Sequence, residues 1–101
     1  MIYQVKAKFR YGRAQEFYQK LTDGSIEKQQ PDGPEMMSSM NRAIIDDNGN
    51  INWTELGYCP TPLKHERATV YDKYFTDLKT ELISDHKIIK GKSFIEKLSK
   101  F

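Results

Sequence analysis

The alternation over residues 2 to 11 constrains the fold more than any other feature of this chain. Tyr3, Val5, Ala7, Phe9 and Tyr11 fall on one face, and Gln4, Lys6, Lys8 and Arg10 on the other. Period two, with aromatic and β-branched residues on one side, means a half-buried strand. That strand should lie inside a sheet, with Val5, Ala7 and Phe9 against helices. Gly12 breaks it. Ala14, Phe17, Tyr18, Leu21 and Ser25 then follow the spacing of one helix face, which predicts a helix from Arg13 to at least Thr22. Asp23-Gly24 is a good stop, since glycine tolerates the left-handed C-terminal conformation. Ser25 to Gln30 could extend the helix at about 1 kcal/mol for the internal glycine. Pro31-Asp32-Gly33-Pro34 ends it in either case.

The middle of the chain turns on one dipeptide. Asn48-Gly49, inside Asp46-Asp47-Asn48-Gly49-Asn50, is the strongest short hairpin signal. Ile51 to Tyr58 reads as the returning strand. A partner of similar length implies an outgoing strand from near Ser39, through Ala43-Ile44-Ile45. Met36, Met37 and Met40 then allow one helical turn opening at Pro34. Cys59-Pro60-Thr61-Pro62 closes the strand, with Thr61 as N-cap and Pro62 at the first position of a second helix. Leu63, Arg67, Val70, Tyr71 and Tyr74 form that helix's face. Residues 76–83 fit a helical continuation, but Leu78, Thr80 and Leu82 also alternate with Asp77, Lys79 and Glu81, and the strand is favoured. Ser93 and Glu96 have capping-box spacing, which predicts a short C-terminal helix through Leu98 with Phe94, Ile95, Leu98 and Phe101 as its apolar residues.

The order strand, helix, strand, strand, helix, strand is the split βαβ arrangement. Over residues 2 to 83 the chain resembles the small ferredoxin-like proteins of bacteria. The resemblance implies an α+β sandwich: an antiparallel four-stranded sheet with two helices on one face. Residues 1–101 then form a single domain, with 84–101 as a C-terminal extension. Many such proteins dimerise through their sheets, so the resemblance also implies a homodimer. The first and fourth strands, both charged on their polar faces, are expected on opposite sides of the sheet's centre. A fold pattern carries no activity of its own.

Composition removes several function classes. At 101 residues, 38% hydrophobic, with five Phe, six Tyr and one Trp, the chain can bury one modest core. Sixteen basic residues against fourteen acidic ones leave a net charge of +2, too little for bulk-charge binding to nucleic acid. The single cysteine excludes an internal disulfide framework and fits a reducing, cytoplasmic setting. The strand-like start lacks a signal-peptide core, and no apolar run reaches membrane-spanning length, so no membrane partner is expected.

The junction of the third strand and second helix holds the candidate site: Tyr58, Cys59, His65, Glu66 and Arg67. A thiol just before a helix meets the positive end of its dipole, and His65 one turn on could pair with it. Cys59 and His65 are therefore the catalytic candidates. The plainer alternative is structural: a buried cysteine as a small hydrophobe, prolines fixing a turn, and an exposed histidine. Metal binding is not expected, because no Cys-x-x-Cys or His-x-x-x-His pair exists. Asp46, Asn48 and Asn50 start a calcium loop, but Ile51 and Gly57 stand where Gly and Glu are needed. No cofactor motif appears; Gly-x-Gly-x-x-Gly and the phosphate loop are both absent. RNA binding would need exposed aromatics on the sheet, and Trp53 is the one platform available. The reading is a small soluble binding or regulatory domain acting as a homodimer, open to a small-molecule ligand. The alternatives are a thiol- or histidine-dependent enzyme at the start of the second helix, and a weak RNA-binding module.

Overall fold

The computed structural model describes residues 1–101, an α+β domain with one antiparallel five-stranded sheet. β1 (Ile2–Phe9) leads through a 3-10 turn into α1 (Ala14–Thr22), and α2 spans Gly33–Arg42. β2 (Ile44–Ile45) and β3 (Ile51–Leu56) form the hairpin. Lys64–Glu66, the π-helical Arg67–Tyr71 and Asp72–Tyr74 run on without a break and are together α3. β4 (Phe75–Ile83), β5 (Lys92–Ser93) and α4 (Phe94–Leu98) complete the chain. The strand order is β4-β1-β3-β2-β5.

β1 behaves as its alternation requires. Tyr3, Val5, Ala7 and Phe9 are buried, while Lys6 and Lys8 are exposed. Val5 faces Trp53 on β3 and Thr80 on β4, so β1 lies inside the sheet. The aromatic residues gather on the covered face. Phe75 lies 5.1 Å from Trp53, 5.4 Å from Phe9 and 6.0 Å from Phe94 by ring centroids. Phe17 from α1 stacks at 4.5 Å on Tyr74 of α3. Each such ring buries roughly 150–250 Å², so this cluster dominates the core.

The structure departs from the expectations in four places. α2 continues to Arg42, and the strand expected from Ser39 is reduced to Ile44–Ile45. Met36, Ser39 and Met40 are spaced for a helix and are buried as one face of it. β3 finds its long partner in β1, with register from Ile2↔Leu56 to Ala7↔Ile51, so no long outgoing strand is required. The second helix starts at Lys64, not after Thr61. Leu63 sits at φ 53°, a left-handed conformation that costs a non-glycine residue about 1–3 kcal/mol. Its fully buried side chain is what the sharp entry turn delivers to the core. The sheet has five strands where four were expected, because Lys92–Ser93 pairs along β2. Finally, β1 and β4 are direct neighbours, and Lys8 meets Asp77 at 3.5 Å.

Residues 84–91 cross the second face of the sheet as a strap between β4 and β5. They lie over the β2–β3 side, where His86 Nδ1 is 2.9 Å from Thr54 Oγ1. Asn52 and Thr54, which point away from the helices, are buried. The Asp46–Asn50 turn closes as expected. Gly49 adopts φ 81°, and the Asp46 side chain accepts from the Asn48 and Asn50 amides at 2.9 Å each. No helix is long and apolar enough to cross a membrane.

Candidate functional site

Two strongly coupled groups of ionisable side chains lie where β3, α3 and the start of α2 meet. The first is built on Asp32. Its side chain caps no helix, although it stands at the N-cap of α2. It is fully buried and turns instead toward α3, where His65 Nδ1 lies 2.5 Å from Oδ2. Gln29 donates to Asp32 Oδ1 at 2.9 Å and to Thr69 Oγ1 at 2.8 Å. Thr69 in turn donates to the His65 carbonyl at 2.7 Å. The carboxylate is thus fixed from two sides, and the imidazole is fixed through its Nδ1. The His65 side chain remains 42% exposed. Its hydrogen bond to Asp32, then the Asp32 charge, raise the imidazole above its ordinary value of 6.5, with Glu66 adding in the same sense.

The second group is deeper. Glu55 is the inward-facing residue after Trp53 on β3, and its Oε1 accepts from Trp53 Nε1 at 2.9 Å and from the Tyr71 hydroxyl at 2.5 Å. Its Oε2 has no partner. Burial is the main cause that pushes Glu55 up to about 8; the two hydrogen bonds oppose it, and the charges of Glu66 and Glu35 add to it. Glu66 is fully buried with neither carboxyl oxygen bonded, and desolvation raises it as well. Burial also carries Tyr71 well above the ordinary phenol range. Buried acids with raised proton affinity are costly, and such groups concentrate at functional sites.

Of the residues singled out from sequence, His65 and Glu66 belong to this assembly. Cys59 is half-buried and makes no hydrogen bond to His65. The helix starts five positions later at Lys64, and a helix dipole acts only within its first turn. Tyr58 is exposed, and Arg67 pairs with Asp72 at 3.5 Å on the surface. Trp53 is fully buried and offers no base a stacking platform. Sequence reading missed Asp32, Gln29 and Glu55. Asp32 stands locally in a Pro-Gly helix stop, and its partner lies 33 positions away. Glu55 carried a usable signal, because it shares the parity of Ile51 and Trp53 on one strand.

An imidazole with one nitrogen on a buried carboxylate can take a proton at the other, and the carboxylate stabilises the resulting cation. No three of the His, Cys, Asp and Glu side chains converge as a metal-ligand set. Comparison with protein-family models, curated proteins and solved structures found no match.

Proposed function

We propose that this chain is a small acid–base domain in which His65 is the proton-accepting group and Asp32 its positioning residue. This is the histidine-dependent alternative of the sequence reading, without the thiol. The observation that carries it is the pairing itself. A fully buried carboxylate, held by Gln29, grips one nitrogen of an imidazole that still reaches solvent. A purely structural histidine in the same place would gain little from that exposure. The raised proton affinity makes the imidazole a stronger base than an ordinary histidine, and its solvent-reaching side is where a general base takes up a proton. The setting is read as a ferredoxin-like domain extended by a fifth strand, supported by the β4-β1-β3-β2 order and by the one core in which every helix packs on the inward face of β1 and β3. The one free thiol fits a cytoplasmic location.

Hydrolysis of p-nitrophenyl acetate tests the proposal, because the other histidine is an internal control. The wild-type chain should accelerate hydrolysis with a midpoint above pH 6.5, where the imidazole loses its proton. His65→Gln should reduce the rate to that of buffer, and His86→Gln should leave it unchanged. Asp32→Asn should move the midpoint down, since the charge that raises it is gone. Equal rates for wild type and His65→Gln, or a midpoint unmoved by Asp32→Asn, would refute the assignment.

A further inference from the structure

β4 is the outermost strand on its side of the sheet, so one of its backbone edges has no partner. Long free edges template pairing with another chain unless something blunts them. Here the blunting covers only the first half. A bulge on β4 sets Asp77 and Leu78 against the single Ala7 between the Lys8↔Thr76 and Lys6↔Lys79 pairs, and Asp77 at φ 52° twists the strand there. From Lys79 to Ile83 the register against β1 is unbroken.

The side chains of that regular half are unusual for a solvent edge. Thr80 and Leu82 face Val5 and Tyr3, so they lie on the helix side of the sheet, with Leu78 packed partly on the core. Leu82 is nonetheless 59% exposed. At the same end of the sheet Tyr58 is also exposed, next to Gly57, whose amide bonds the Met1 carbonyl. On the other face stand Lys79 and Glu81. Neither forms an ion pair within the chain, whereas Lys8 and Asp77 beside them do. Lys79 instead lies directly opposite Lys6, a like-charge cross-strand pair that destabilises a sheet; Asp46, 4.0 Å from the Lys6 ammonium, partners Lys6 and not Lys79.

We propose that a second copy of this chain pairs antiparallel along β4, about a twofold axis through Thr80. That register sets Lys79 against the partner's Glu81 twice, Leu78 against the partner's Leu82 twice, and Thr80 against its own copy. Directly opposed residues share a face in antiparallel pairing, so the leucines meet on the helix side and the charges on the other. The added Glu81 also lands beside the Lys6–Lys79 pair and offsets its repulsion. Neighbouring registers fail. An axis through Lys79 opposes Lys79 to itself and Asp77 to Glu81 twice. An axis through Glu81 opposes Glu81 to itself and breaks the leucine match. An axis through Leu78 runs the pairing across the bulge. The contact is isologous and closed, so it ends at a dimer and does not grow. Two five-stranded sheets become one continuous sheet, with all helices on one side.

Sedimentation equilibrium with charge reversal tests this. The wild-type chain should form a dimer. Lys79→Glu and Glu81→Lys should each weaken it by about tenfold, because two attractive pairs become repulsive. The double variant Lys79→Glu/Glu81→Lys should restore it. Both positions are solvent-exposed in the monomer, and circular dichroism verifies that each variant folds. A wild-type chain that remains monomeric, single reversals that leave the dimer intact, or a double variant that stays dissociated would overturn the proposal.

Discussion

Glu55 is the residue whose chemistry most directly reaches stability. In the unfolded chain its carboxyl titrates at its ordinary 4.5, and in the folded chain at about 8. The folded state therefore binds more protons between those values. Its contribution is fully present below about pH 4.5 and is lost as pH rises through 8. Glu55→Gln keeps an oxygen for the Trp53 and Tyr71 donors and removes the ionisation. The melting temperature of the wild type should fall between pH 5 and 8, and that of Glu55→Gln should fall much less over the same range. Parallel curves for the two proteins would mean that Glu55 is not the group responsible. Asp32 is a different case, because its buried carboxylate satisfies Gln29 as well as His65. Losing such an acceptor costs about 1–3 kcal/mol, which is why the amide Asp32→Asn suits the hydrolysis test better than Asp32→Ala.

At the scale of elements, α4 has too few residues to be stable alone and depends on docking. Ser93 caps it by accepting from the Glu96 amide at 3.3 Å, as the capping-box spacing requires. Phe94 and Leu98 are fully buried, with Phe94 5.0 Å from Phe9. The tail thus closes its own domain's core. Phe94→Ala should destabilise by about 3–5 kcal/mol in urea unfolding, whereas Ile88→Ala on the strap, at a side chain 96% exposed, should change nothing measurable. A Phe94→Ala effect as small as that of Ile88→Ala would mean the tail is not docked. The π-helical stretch of α3 has a related role. It places Val70, Tyr71 and Tyr74 in the core together, with the Tyr71 hydroxyl on Glu55 and the Tyr74 hydroxyl on Glu16. Such widened turns recur at functional sites.

For the molecule as a whole, two sets of ionisable groups pull in opposite directions. Tyr74 holds Glu16 below its usual range, Ser25 does so for Asp23, and the turn amides with Asn52 do so for Asp46 despite its desolvation. Their contributions are present above the ordinary carboxyl values of 3.8 and 4.5 and are lost as pH falls through the lowered ones. Glu55, Glu66 and His65 are raised, and their contributions are lost as pH rises. The two limbs meet near the ordinary carboxyl values of 3.8 and 4.5, because the lowered acids lose their contribution below those values and Glu55 begins to lose its own above 4.5. Calorimetry across the pH range should find maximal stability near those values. A maximum at or above pH 8 would show that the raised group of acids does not exist as described.

Elements with a periodic face were legible in the sequence. β1, α1, the Asn48-Gly49 turn, the strand at Phe75–Ile83 and the capped α4 each carry their signal within a few residues, through alternation, helical spacing or turn chemistry. The candidate junction was legible only as chemistry-bearing residue types, His65 and Glu66 among them. The rest depended on contacts between distant segments. Met36 and Met40 gave α2 its length only because a core existed to receive them, and β3 took β1 rather than a long hairpin strand as its partner. The Asp32–His65 pair joins positions 33 apart across a loop that reads locally as a helix stop. Burial raises Glu55 and Glu66, and burial belongs to the assembled fold, not to any stretch of chain. Local sequence therefore determined which segments become strands and helices, while tertiary packing decided which buried carboxyls and imidazole meet, because desolvation and proton affinity exist only once the layers close.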